Sequence, residues 1–399
     1  MKKLNIKVLA LSTLMLSMSQ VNAQNVDKNE VTFNYIQLPL TPIANKVKNY
    51  EVAVVQNAEA KNAEKKADYE KKKKEADEKY DKELKAQEDQ RNSQKSKVGS
   101  LMVSMQQMDE SNKVKKDVVP EPVYLKVYPV ETVAGKVNIE GLTKSNTNAA
   151  KVTVTLVGFE VSEPTISTSG QSPNISYKYT VDYKNPISVQ VESEGTINLD
   201  ELIPGTDKTL SYNNGKSFKS EGEARSDWAT TSKSTQEQLM NSSFEKGMTY
   251  TNQYLSNKIG FMKKEREALL FMVKDKKVDY SDYADAFTSL NDGLLMLGED
   301  LLIEEGKTKI KDGVTKFETI LKESNVKDKK ARVNEDVTIA IYFNLLEANI
   351  WLNDFVTAQK YILKLKTSNT SNREEKRMAR IKELMDDLKV RYDANNPKQ

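Results

Sequence analysis

Residues 57–97 constrain this chain more than any other stretch. Almost every position is Ala, Lys, Glu, Asp or Gln, mostly good helix formers, and the apolar positions thin out to Ala63, Ala67, Ala76, Tyr80 and Leu84. Glu70–Lys74, Glu75–Lys79, Glu78–Lys82 and Asp81–Lys85 are i,i+4 pairs in the favourable orientation, each contributing about 0.2–0.5 kcal/mol. The pattern predicts a helix that cannot build a core of its own, hence an arm projecting into solvent or a loose coiled coil. Such an arm either grips a partner or is a plainly solvated helix. Leu101, Met102, Met105 and Met108 follow as a small apolar cluster, and Lys113–Lys116 leads to Pro120 and Pro122. Arm and linker together take up 57–119.

β-pattern flanks the arm on both sides. In 24–56, Val31-Thr32-Phe33-Asn34-Tyr35-Ile36 alternates, Pro39 and Pro42 punctuate, and Tyr50–Val55 reads as a second strand. In 120–220, Val123–Val130, Lys151–Val161, Ile175–Tyr183 and Ile187–Val191 are rich in Val, Thr and Tyr, with polar turns at 145–148 and 167–174. These spacings predict an antiparallel β-sandwich-like domain. Val31–Tyr35 before Pro42-Ile43 matches Ile175–Tyr179 before Pro186-Ile187 at constant offset, a hint of duplication. The simpler expectation is one sandwich with the helical arm inserted between its strands.

From Thr235 onward the period becomes helical. Met240, Phe244, Met248, Leu255, Ile259 and Met262 share a face, as do Tyr283, Phe287, Leu290, Leu294, Leu297 and Leu301. Further series run through Ile310–Leu321, Ile341–Leu352, Ala358–Leu365 and Ile381–Tyr392. The expected fold class is therefore α+β and multidomain, with an α-helical hairpin array over 235–395.

Residues 339–366 resemble a tetratricopeptide repeat. The residues that carry the resemblance are Tyr342-Phe343-Asn344-Leu345, Ala348, Asn353-Asp354-Phe355, Ala358 and Tyr361-Ile362. Small Ala348 and Ala358 let helix backbones approach, and Asn353 tolerates the positive φ of a tight turn. The departures are Leu346, Asn349 and the lack of a proline after Leu365. Residues 283–323 make a degenerate second repeat through Phe287, Leu290, Gly313 and Phe317, and 373–392 is placed as the cap. The resemblance implies a peptide-binding groove faced by Phe343, Glu347, Ile350 and Trp351. Core packing is the other use of the same side chains. Trp351 is one of two tryptophans.

The N-terminus has the layout of a secretory signal peptide. Lys2, Lys3 and Lys7 precede the apolar Val8–Met18, and Val21-Asn22-Ala23 offers a cleavage site after residue 23. The apolar run is about half the ~20 residues a bilayer span needs. The roughly 376 residues beyond Ala23 predict two or three domains. The 61 basic and 58 acidic residues leave this part near neutrality, which gives no electrostatic case for nucleic acid or an anionic membrane. There is no cysteine, hence no disulfide and no lipid anchor through an N-terminal thiol. There is no histidine either, which removes a Ser-His-Asp triad and a histidine zinc site. Gly306-Lys307-Thr308 and Gly215-Lys216-Ser217 lack the earlier glycine of a phosphate-binding loop, Leu301 and Leu210 standing there. Asn291-Asp292-Gly293 lacks the acids of a calcium loop. No cofactor or metal is expected.

These features together predict an exported protein of a Gram-negative-type bacterium, periplasmic in the first instance and extracellular or outer-membrane-associated in the second. Its expected role is a non-enzymatic adaptor that binds one or more envelope proteins in a secretion, motility or outer-membrane assembly. Two alternatives stand beside it: a holdase chaperone that uses the arm, and a carboxylate-based glycan hydrolase, since Asp and Glu abound.

Overall fold

The computed structural model describes residues 25–44, 47–97, 114–275, 277–299 and 301–397, with side chains placed outside 90–97. The expected signal peptide and the Leu101–Met108 cluster lie outside the described residues. The chain is mixed α/β, with antiparallel sheets and a helical C-terminal region, and it forms two compact units. One unit is 1–41 with 260–399; the other is 42–259, inserted into the first in sequence.

The chain begins with strand β1 (Asn25–Gln37) and enters the inserted unit at β2 (Asn49–Gln56), after which comes the arm helix α1 (Ala58–Lys97). A short helix α2 (Val130–Lys136) and the strands β3 (Thr143–Lys144), β4 (Ala149–Leu156), β5 (Glu160–Val161), β6 (Thr165–Ser169), β7 (Ser176–Lys184), β8 (Ile187–Ser193), β9 (Thr196–Leu202) and β10 (Leu210–Tyr212) follow. The unit closes with a long helix, α3 (Glu221–Ile259). Its main sheet has the order β3-β2-β4-β8-β9, and β2 runs parallel to both β3 and β4. A parallel neighbour requires a crossover rather than a hairpin. The segment carrying the arm is that crossover. β7 carries β10, β5 and β6 in a smaller arrangement.

Alternation decides which face of the main sheet is buried. Ala150, Val152, Val154 and Leu156 of β4 and Ile187, Val189 and Val191 of β8 point one way, and Phe244, Met248, Leu255 and Ile259 of α3 share their core. Here the sheet is covered by a helix; a second sheet is not its partner. Five of the six face positions expected from Met240 to Met262 are indeed buried on α3. Gly247 allows the close approach of sheet and helix: a Cβ there would lie 2.7 Å from the Ile187 Cδ1 and would oblige that side-chain tip to shift. The other end of α3 buries Ala224 and Trp228 against Tyr179 and Val181 of β7.

The arm is tied down along one edge. The chain returning from it is extended over 114–129 and runs antiparallel to α1. The Gln56 side chain donates to the Tyr128 carbonyl and accepts from the Tyr128 N–H, at 2.6 and 2.9 Å. Asn62 does the same at Leu125, at 2.8 and 2.7 Å. The Lys65 amine donates to the Val123 carbonyl, and Lys79–Asp117 and Lys116–Asp77 continue the series. The spacing follows from rise per residue: Asn62 to Lys79 climbs about 26 Å of helix, and Leu125 back to Asp117 covers about 26 Å of extended chain. The expected linker over Pro120 and Pro122 is thus a strap bound to the arm.

The other unit resumes with β11 (Met262–Lys274), then the helices α4 (Ser281–Leu295), α5 (Ile303–Leu321), α6 (Glu335–Trp351), α7 (Phe355–Lys366) and α8 (Asn372–Asn395). β1 and β11 pair antiparallel over thirteen residues, from Asn25↔Lys274 to Gln37↔Met262. This corrects two expectations. Residues 262–274, expected within the helical region, are a strand. The two N-terminal β stretches do not share one sheet: β1 belongs to this unit, β2 to the inserted one. Lys-Lys-Glu-Arg-Glu-Ala-Leu-Leu is good helix sequence, and the thirteen-residue ladder with a distant segment overrides that local preference.

The helices stack against this ribbon. α4 and α5 touch through glycines: a Cβ on Gly293 would lie 2.6 Å from the Gly306 carbonyl oxygen, and one on Gly313 3.0 Å from that of Ala286. The Gly306-Lys307-Thr308 fragment therefore owes its glycine to helix packing. α6 is buried nearly all round, as its run of apolar residues requires of a central helix. The α6–α7 turn is closed by Asn353 at φ 59° and by Asp354, whose carboxylate accepts from the Thr357 N–H. α8 starts with a capping box between Ser371 and Glu374.

Candidate functional site

The four groove residues lie together on α6, and the face they form is occupied by the chain's own ribbon. Phe343 stacks on Phe271 of β11 with ring centroids 5.1 Å apart. Glu347 is 2% exposed, meets the Arg266 guanidinium at 3.3 Å and accepts a 3.0 Å hydrogen bond from the Trp351 indole. Ile350 is fully enclosed. Trp351 packs edge-on to Phe33 at 5.1 Å and against Tyr35 at 4.7 Å. The expectation of an open groove at Phe343, Glu347, Ile350 and Trp351 is corrected on that point. Packing is what these side chains do, because Val31, Phe33 and Tyr35 present an apolar row that gains about 1.5–3 kcal/mol per buried side chain by covering them.

Asn344, on the same helix, holds the ribbon in place. Its Oδ1 accepts from the Phe271 N–H and its Nδ2 donates to the Phe271 carbonyl, both at 2.8 Å. The amide thereby acts as one residue of an adjacent strand. The Tyr283 hydroxyl also donates to that carbonyl, at 3.0 Å, and burial pushes its phenol well above the usual range, so it stays protonated as a donor.

What remains open is a cavity at the far end of the ribbon. Its volume is about 490 Å³, within the range of small-ligand sites. Tyr35 and Leu38 border it from β1 and just beyond, Leu297 and Ile303 from the α4–α5 corner, Trp351 and Asn353 from the end of α6, and Leu388 and Tyr392 from α8. Its cationic groups are Lys307 and Arg391; no Asp or Glu lines it. Arg391 is bound to Asp387 and to the Leu38 carbonyl, both at 2.9 Å. Lys307 pairs with Glu304, whose side chain is 85% exposed. Burial, and then the nearby Asp387 charge, raise the Tyr35 phenol, so that wall is neutral. Leu295, Leu301 and Leu302, next in sequence to the lining residues Leu297 and Ile303, are exposed.

Of the four groove residues expected from sequence, only Trp351 lines this cavity. Lys307 lies on α5 and Leu388, Arg391 and Tyr392 share one face of α8, so no sequence spacing joins the lysine to the other three. Asn353 was legible as a turn residue, not as a lining one. Among the described residues no group of three or more Asp or Glu side chains could hold a metal ion, and no helix is long and apolar enough to cross a membrane. No family model, no curated protein and no solved structure matches this chain.

Proposed function

We propose that the protein is an exported, non-enzymatic adaptor of a bacterial envelope complex, and that the α1 arm with its strap is the part that engages an envelope protein. The observation that supports this is the disposition of the arm. Over 58–89 only Ala58 is buried; most other side chains are exposed, and the stripe at Asn62, Lys65, Tyr69, Ala76, Tyr80 and Leu84 is half-buried. A helix that adds so little to its own core, yet is tied to its strap by paired amides and ion pairs, offers a long charged surface for a partner. The α6–α7 hairpin is read as tetratricopeptide-like, with its inner face used for the ribbon.

The adaptor reading is favoured over a holdase because the arm's described side chains present little apolar surface for an unfolded client. It is favoured over a glycan hydrolase because the cavity beside Trp351 carries no carboxylate among its described lining residues, and that chemistry requires two. A photo-crosslinking residue placed at Lys73 or Glu83 in the producing cells tests the proposal. One discrete adduct with an envelope protein, made by the exported form and lost when Asn62→Ala frees the strap, is the expected result. No adduct at either position, or a smear of many, overturns it.

A further inference from the structure

The cavity beside Trp351 has the makings of a ligand site that is separate from the arm. Its apolar body is formed by Leu38, Leu297, Leu388 and the rings of Tyr35, Trp351 and Tyr392. Apolar walls of this volume favour an apolar occupant over water. Two polar groups are free to orient one. The Asn353 side-chain amide makes no hydrogen bond to another described residue. Lys307 has three donor hydrogens, and its partner Glu304 stands largely in solvent. An ion pair so exposed is weak and readily exchanged.

The sign of the wall is one-sided. Lys307 and Arg391 are cationic, the remaining polar lining residues are neutral, and no carboxylate faces in. A cationic ligand would find no carboxylate among the lining residues to pair with, and a neutral one would leave the Lys307 amine unused. Exposed Leu301 and Leu302 directly precede the lining residue Ile303, extending apolar surface outward along the same corner. We infer that this cavity binds a single-chain anionic amphiphile, with the aliphatic chain against Trp351 and Leu388 and the anionic head at Lys307 and Asn353. Arg391 is committed to Asp387 and the Leu38 carbonyl, which leaves Lys307 as the cation that meets the head group.

The test uses the full-length Trp228→Phe protein, in which Trp351 is the only tryptophan, titrated with decanoate, decyl phosphate, decanol and decyltrimethylammonium below their micellar concentrations. Decanoate or decyl phosphate should shift the Trp351 emission saturably and bind at least about tenfold more tightly than decanol, the difference expected of one charge-assisted hydrogen bond. Whichever anion is tighter distinguishes a free acid from a phosphate-headed lipid. Lys307→Gln, on a half-exposed site that leaves the fold intact, should remove the preference for the anion and leave decanol binding unchanged. Leu388→Tyr, which narrows the cavity without adding a second tryptophan, should weaken all four. Decanol or the ammonium binding as tightly as the anions overturns the assignment of the head group. Failure of all four to saturate overturns the site, and leaves the crosslinking result from the arm untouched.

Discussion

At the level of single residues, Asn344 shows how a polar side chain in a buried helix acts as sheet. A strand edge buried without partners costs about 1–3 kcal/mol for each unpaired backbone group. Asn344 satisfies both groups of Phe271 and stands within 3.3 Å of the Tyr283 hydroxyl. Asn344→Ala should therefore lower unfolding stability by about 3 kcal/mol, read as the shift of a urea midpoint. Asn344→Asp should be worse still, since a buried carboxylate cannot donate to the carbonyl. In the inserted unit, Asp227 accepts from Lys216, Tyr179 and Asn214 at 2.9–3.1 Å. The Lys216 hydrogen bond chiefly, with the tyrosine and asparagine, lowers its carboxyl below the ordinary 3.8. A lowered folded-state value means the stabilisation is present in full above that ordinary value and is lost as pH falls through the lowered one. Between pH 7 and pH 2.5 the parent should lose more stability in urea than Asp227→Asn, and the two curves should converge at the acid end. Equal pH dependence of the two proteins would remove Asp227 from the account.

Among the elements, the arm and its strap form a composite. Neither half has a continuous apolar face, and what joins them is side-chain amide to backbone, at Gln56–Tyr128 and Asn62–Leu125, followed by lysine bridges. Ion pairs this exposed add little individually, so the amide pairs should dominate. Asn62→Ala leaves the Leu125 N–H and carbonyl without their partner and should raise the rate of tryptic cutting at Lys115 and Lys116 about tenfold, the factor for roughly 1.4 kcal/mol of easier local opening. Lys79→Ala, which removes one exposed ion pair, should change the rate less than twofold. Similar sensitivity of both variants would mean the amides do not hold the strap.

For the molecule as a whole, the topology is an insertion. The strands that pair at Gln37↔Met262 are separated in sequence by the entire second unit. Closing so long a loop is slow, so 42–259 should fold before the β1–β11 ladder forms. Joining Thr41 directly to Gly260 shortens the connection between β1 and β11 to six residues, an ordinary length for a connection in a compact domain. That shortened protein should retain a single cooperative thermal transition and the buried emission of Trp351, its one remaining tryptophan. The complementary fragment 42–259 should fold alone. A molten or aggregated product in either case would show that the two units depend on each other for stability.

Composition and periodicity were enough to place the arm, because a stretch rich in helix formers with so thin an apolar stripe orders as a solvated helix. They were enough for the alternating strands β4, β7 and β8 as well, for the apolar face of α3, and for the α6–α7 hairpin down to the positive φ of Asn353, since each of these follows from neighbours a few positions apart. The strand β11, the separation of β1 from β2, the filling of the α6 face and the cavity bounded by Lys307, Trp351 and Leu388 were decided in three dimensions. β11 carries helix-forming residues and becomes a strand through a partner more than two hundred positions away. Phe343 and Trp351 look the same in a string of letters whether a guest peptide or the chain's own ribbon covers them. Local pattern records what a segment prefers to bury; the identity of what buries it is set by the lowest free energy of the whole chain.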